Sequence, residues 1–151
     1  PGTRSWCGAG CAGCLEGVAS GSAIAAEVRA RLAEGARSAL TPDADAAAVF
    51  AAVEAGDPLA VEVIDATIGH LAAGIAGLLA VFDPEAVVVG GGVATGLAAR
   101  WDDLVRAVQT RALPRYAPGV PLSLTTLGDD ASLLGAAALA LGSTQGGEPV
   151  S

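Results

Sequence analysis

The stretch LLAVFDPEAVVVGGGVATG, Leu78 to Gly96, decides how the rest of the chain is read. It joins the apolar end of a helix to a turn, three consecutive valines and three consecutive glycines. Val87, Val88 and Val89 are β-branched with no polar alternation, the pattern of a central parallel strand covered on both faces. Pro84 biases Asp83 away from helical dihedrals, so the preceding helix stops there. Gly90, Gly91 and Gly92 remove every Cβ where the strand gives way to the next helix. Backbone N–H groups at that point can therefore face a phosphate or a sugar hydroxyl. A ligand crevice is expected at the C-terminal end of this strand. The spacing is not that of a P-loop, because the chain has no lysine. Nor is it a dinucleotide fingerprint, which needs glycine where Thr95 stands. By itself the run suits a plain tight connection as well as a ligand loop.

Upstream of it, Leu59 to Val81 carries the longest helical signal. Ile64, Ile68, Leu71, Ile75, Leu78 and Phe82 recur at steps of three and four, one continuous apolar face. Gly69, Gly74 and Gly77 weaken that helix, which predicts places where another backbone crosses closely. Gly56-Asp57-Pro58 starts it, and Thr41-Pro42-Asp43 is expected to open a shorter helix running to about Glu54. Ala23 to Ala33 reads as a helix capped by Ser20 or Ser22, with Ile24, Val28 and Leu32 on one stripe. Downstream, Leu97 to Leu113 reads as a helix, Pro118 to Pro121 as a turn, Leu122 to Leu127 as a second strand and Leu133 to Leu141 as a small-residue helix. Residues 143–151 read as a flexible tail. Strand, helix and strand in this order make a crossover unit, so the fold class is α/β, helix-rich and with an incomplete sheet. Two strands do not make a stable sheet, and the remaining ones are expected from outside this sequence.

A chain of 151 residues with 52% hydrophobic content is long enough for one domain with a core. Aromatics are only 3% and methionine is absent, so that core has to be built from Ala, Val and Leu. No uninterrupted apolar run approaches the roughly 18 residues of a membrane span. With no hydrophobic leader either, a cytoplasmic chain with no membrane partner is expected. Eight arginines against sixteen acids give a net charge of -8, which argues against nucleic acid binding through this segment. A phosphorylated ligand would have to be held by backbone N–H groups, helix ends and a divalent ion.

Residues 1–19 form a cysteine-rich stretch containing WCGAGCAGCLE, read as a loop up to Glu16. Cys7, Cys11 and Cys14 lie so close together that metal binding is favoured over a disulfide. A structural zinc takes four ligands, and only three thiols are present. The lone histidine, His70, lies mid-helix and reads as an ordinary helix residue.

The run from Cys7 to Glu16, followed by Ala19-Ser20-Gly21, resembles the zinc-loop signature of the ROK family of repressors, open reading frames and kinases. Asp83-Pro84-Glu85 through Gly90-Gly91-Gly92-Val93, and Leu127-Gly128-Asp129-Asp130-Ala131 through Gly135-Ala136-Ala137, are similar to that family's later motifs. The resemblance implies the C-terminal lobe of an actin-like, ribonuclease-H-like fold over residues 1–142, with a helical part at 20–82 and a strand-helix-strand-helix part at 83–142. It implies Cys7 and Cys14 as zinc ligands; the family's middle cysteine falls on Ala9, so either Cys11 stands in for it or zinc is lost. It implies Glu16 as the carboxylate that binds sugar hydroxyls, and Gly90, Gly91 and Gly92 as the loop that approaches a nucleotide. Asp129 and Asp130 read more simply as caps of the last helix. The family's phosphate hairpin and catalytic aspartate have no match here, so no catalytic residue is assigned.

Three readings follow. The chain is the C-terminal part of an ATP- and magnesium-dependent sugar kinase, inactive alone; or the sugar-sensing part of a repressor; or, least favoured, a structural module. Homodimerisation is implied by the resemblance and by the unpaired apolar faces.

Overall fold

The computed structural model describes residues 4–11, 13–113 and 120–143. Seven helices and two strands follow one another along the described residues: α1 (Leu15–Ala19), α2 (Gly21–Ala33), α3 (Ala46–Glu54), α4 (Pro58–Phe82), β1 (Val87–Val89), α5 (Gly92–Gly96), α6 (Trp101–Arg111), β2 (Leu122–Leu124) and α7 (Ala131–Ser143). Short 3-10 turns at Ala98–Arg100 and Gly128–Asp130 lead into α6 and α7.

Helix α4 is the axis on which the rest is laid. Its start is fixed by Asp57, whose carboxylate accepts the Ala60 N–H at 3.0 Å, with Pro58 in the first turn where no N–H is needed. Asp83, with φ of 48°, ends it in the left-handed conformation. The helix is long and apolar enough to cross a membrane by length and composition. Nine of its residues, Ile64, Ile68 and Leu79 among them, are buried, and it packs against α1, α2, α3 and α6. Val28, Val49, Leu97, Leu104 and Val108 from the surrounding elements complete a single core.

Strands β1 and β2 pair in parallel, with Val87 opposite Leu122, Val88 opposite Ser123 and Val89 opposite Leu124. The crossover between them runs through α6, in the stretch where the sequence predicts a helix, and also through α5, which the sequence does not predict. The expectation that the valine run is covered on both faces is not met. Val87 and Val89 pack on the core, but Val88 is 64% exposed, and each strand of a two-stranded sheet is an edge.

Other boundaries shift for identifiable reasons. The cysteine-rich stretch does not stay a loop through Glu16, because Cys14 Sγ accepts the Gly17 N–H at 3.3 Å and caps α1. Asp45, not Thr41, caps α3, while Thr41 to Ala44 form a turn closed by the Ala44 N–H to the Thr41 carbonyl. The helix expected over Leu97 to Leu113 is divided. Buried Leu97 caps α5, and the chain turns before Trp101, where Arg100 is paired with Asp65 and Asp103. The second strand ends at Leu124 because the Thr125 hydroxyl accepts the Leu127 N–H and turns the chain. Of the three helix glycines, Gly74 makes room for the Leu15 side chain and Gly69 lies beside Arg111, while Gly77 faces open space; side chains, not a backbone, cross there. Ser143, expected to begin the tail, is the last residue of α7. The turn expected from Pro118 begins outside the described residues, as does the tail after Ser143.

Candidate functional site

Glu16 and Gly90, about half the chain apart in sequence, come together at one hollow of about 260 Å³. Its walls are α1 (Leu15, Glu16, Ala19), the end of β1 with the glycine turn (Val89, Gly90) and α5 (Val93, Ala94), with Ser20, Leu71 and Leu97 completing it. Glu16 is the one ionisable side chain in this lining. It sits in the first turn of α1, exposed, on an apolar floor. A carboxylate in that setting can accept two hydroxyl hydrogen bonds with charge assistance.

The three glycines differ in what they are for. A Cβ on Gly90 would stand 2.9 Å from Thr125 Cγ2, so its bareness is required by the neighbouring strand end. Gly91 has φ of 94° and ψ of 173°, a region open in practice only to glycine. Gly92 has an ordinary φ and nothing within 4 Å of a built Cβ, so neither packing nor backbone explains it. On this side the turn borders a second hollow, about 530 Å³, lined by Gly21, Ala46, Ala47, Phe50, Gly92, Val93, Thr95 and Gly96. Val93 belongs to both hollows, so α5 is the partition between a carboxylate-bearing space and an apolar one floored by an aromatic ring. Phe50 lies against Gly96, where a Cβ would be 2.2 Å from the ring. Sequence periodicity gave no sign of Phe50; its rarity, as one of two phenylalanines, was the available signal.

The cysteines converge as expected. The Sγ atoms of Cys7, Cys11 and Cys14 lie within 4.8 Å of one another, Cys11 exposed and the other two half-buried. Zinc bonded to thiolates at about 2.3 Å in a tetrahedron spaces them roughly 3.8 Å apart, so small side-chain rotations bring this set into range. The thiols share their protons unequally. Hydrogen bonds with Cys14 and then Cys7 push Cys11 up to about 12. A hydrogen bond from Cys11, aided by the Ala9 N–H, holds Cys7 below the ordinary thiol value. Such a set fits three positions of a structural zinc. Among the described residues no fourth His, Cys, Asp or Glu joins the group. The Trp6 N–H donates to the Gly17 carbonyl at 2.7 Å, tying the cysteine segment to the helix that carries Glu16.

His70 lies elsewhere. It lines a third hollow, of about 390 Å³, between α2 and α4, together with Trp6 and the ion pairs of Arg4 with Glu34 and Arg31 with Glu62. Asp130 is exposed on the turn entering α7, and the side chain of Asp129 is outside the described residues.

Known proteins resemble this chain in sequence and in fold. The sequence pattern of the ROK family matches residues 2–143. The chain belongs to the ROK family. It is 36% identical over 135 residues to a glucokinase of Halalkalibacterium halodurans, covering 85% of this chain and 41% of that protein. Among solved structures, a ROK family glucokinase from Streptomyces griseus, in complex with glucose and AMPPNP, superposes with a TM-score of 0.76 at 28% identity, over 90% of this chain and 47% of that one. A ROK family transcriptional regulator, a homolog of the E. coli MLC protein, gives a TM-score of 0.68 at 33% identity, over 80% of this chain and 31% of that one. The chain thus spans less than half the length of the relatives it matches. Kinases and a regulator of the ROK family are both among its relatives, and the helix-rich fold with a small parallel sheet is that of a partial α/β domain.

Proposed function

We propose that this chain is the C-terminal lobe of an actin-like, ATP-dependent hexose kinase of the ROK type, with the sugar held at Glu16 and the nucleotide approaching the Gly90–Gly92 turn. The observation that carries this reading is the partition made by α5. One five-residue helix and its glycine turn separate a hollow bearing a single carboxylate from a larger apolar hollow that ends on Phe50. Phosphoryl transfer to a sugar needs two adjacent ligand sites of that contrasting chemistry.

In this reading Glu16 accepts hydrogen bonds from two sugar hydroxyls and orients the ring, while Leu71 and Val89 exclude water from its apolar edge. ATP with magnesium supplies the transferred phosphoryl group and neutralises its charge. Bare backbone at Gly92 lets a ligand come close without meeting a side chain. Neither lining contains a second carboxylate to serve as base or a basic group to cradle phosphate. Those parts, and the strands that would flank β1 and β2, are assigned to a remainder of the polypeptide, so this lobe alone is catalytically silent. Zinc at Cys7, Cys11 and Cys14, with a fourth ligand from that remainder, would hold α1 in place. The kinase is placed in the cytoplasm as a homodimer.

The test is hexose-dependent ADP release by the product of the complete coding sequence. Glu16→Gln is expected to lower kcat/KM for hexose by about a hundredfold, near 3 kcal/mol of charge-assisted hydrogen bonding. Hexose binding without ATP turnover, together with a gel shift of an operator fragment, would replace this reading by the second one. That second reading, the sugar-sensing part of a repressor, is supported by the transcriptional regulator among the solved relatives, at 33% identity over 80% of this chain.

A further inference from the structure

Cys11 and Cys14 make a C-x-x-C run, Cys11-Ala12-Gly13-Cys14. Such a pair is chemically competent for reversible oxidation as well as for metal binding. We propose that Cys11 and Cys14 form a reversible disulfide that competes with a thiophilic cation for the Cys14 sulfur.

What singles out this pair is the exposure of Cys11 and its open glycine flanks, not distance, since all three sulfurs lie within 4.8 Å of one another. Cys7 is held: the Trp6 N–H beside it is bonded to Gly17, the Cys7 carbonyl accepts the Gly10 N–H at 3.0 Å, and a Cβ built on Gly17 would be 3.0 Å from Cys7 Cβ. Cys11 is the exposed sulfur and lies between Gly10 and Gly13, both with positive φ and both facing open space. The two sulfurs start no more than 4.8 Å apart. A single change of rotamer moves a thiol sulfur by about 3 Å, enough to reach the roughly 2.05 Å of an S–S bond. Disulfide formation consumes one peroxide: two S–H bonds are lost, one S–S bond forms, and the two electrons and two protons leave as water made from the peroxide oxygens. A dithiol reverses it by exchange.

The consequence lies at α1. Cys14 Sγ is the acceptor that caps this helix, so committing it to a disulfide withdraws the cap from the element bearing Glu16. That consequence rests on the sugar reading. The disulfide itself does not, and the two fail separately.

The test uses the full chain, reduced and metal-free or loaded with Zn2+ alone, exposed to hydrogen peroxide. Thiols are counted, alkylated and mapped on the peptide Ser5–Arg29, which holds all three cysteines. The expected result is loss of two thiols of three, a peptide lighter by about 2 Da before alkylation, and a single label on Cys7. Zn2+ is expected to slow the loss by about tenfold or more, and dithiothreitol to restore three thiols. Cys11→Ser is expected to keep both remaining thiols over the same exposure. A label found on Cys11 or Cys14 in the wild type, three surviving thiols, conversion to sulfinic acid without a disulfide, or no protection by Zn2+ would overturn the proposal.

Discussion

Replacing Gly96 by alanine tests the contact on which the shape of the apolar hollow depends. Gly96 closes α5 with an ordinary backbone, so alanine meets no conformational obstacle there. Helix propensity alone would make it stabilising, by up to ~1 kcal/mol. The space is taken, however: the new methyl would be 2.2 Å from Phe50 Cδ2, 2.3 Å from Cε2 and 2.7 Å from Cγ. Ordinary carbon contacts lie near ~3.7 Å, so the ring has to retreat by more than an ångström toward the hollow it lines. Overpacking of that degree costs about 1–3 kcal/mol, and the net expectation for Gly96→Ala is a loss of roughly 1–2 kcal/mol. The decisive measurement is a double-mutant cycle with Phe50→Ala, read by urea unfolding. With the ring gone, only the propensity term remains and Gly96→Ala becomes neutral or stabilising. If it destabilises equally in both backgrounds, or in neither, the contact between Gly96 and Phe50 is not what shapes this wall.

Two further substitutions probe other supports of the site. Buried Asp57 accepts the Ala60 and Ala39 N–H groups and the Ser38 hydroxyl, so Asp57→Ala removes a cap and orphans two further donors, a loss of about 2–4 kcal/mol in chemical denaturation. Burial would raise the Asp57 pKa, but those hydrogen bonds outweigh it and hold the group below the ordinary carboxylate value. Its contribution is therefore complete above about pH 4 and fades as pH falls through the folded-state pKa; Asp57→Ala should flatten the acid side of the stability profile. Gly17→Ala places a methyl 2.2 Å from Ser5 Oγ, which can rotate, and 3.0 Å from the Cys7 backbone nitrogen, which cannot. Displacing Cys7 is expected to weaken Zn2+ binding by about tenfold or more in a chelator competition, whereas unchanged affinity would separate the metal set from its contact with α1.

The legible parts of this fold are those where one local rule acts without competition. The long apolar period of α4, its Asp57 and Pro58 start and its Asp83 stop are all written within a few residues of where they act. The convergence of three cysteines needs only short spacing. The illegible parts depend on distant partners or on rare chemistry. Helix α1 is barely more than one turn, too short to show a period, and its cap is a thiol rather than a hydroxyl or carboxylate. Thr41 is taken up by a turn whose Pro42 carbonyl accepts from Arg29 of α2, a partner 13 residues away, and Asp45 is left to cap α3. Three β-branched residues announce a strand but not how many neighbours it has, and so Val88 was expected inside and lies outside.

The glycine run shows the same limit most sharply, because three identical residues have three different causes. Gly90 is bare to fit Thr125, Gly91 to adopt its dihedrals, and Gly92 for neither reason. A methyl at Gly90 presses on the neighbouring strand end and one at Gly91 strains the backbone, so both alanine variants should lose about 1–3 kcal/mol. Gly92→Ala meets no atom and enters a helix, so its stability should hold or rise slightly. If a nucleotide approaches the bare backbone at Gly92, the same methyl should weaken AMPPNP binding by tenfold or more in the complete protein, with the fold intact. Affinity within twofold of the wild type, measured by calorimetry, would remove Gly92 from the nucleotide site and leave the run as a tight connection between a strand and a helix.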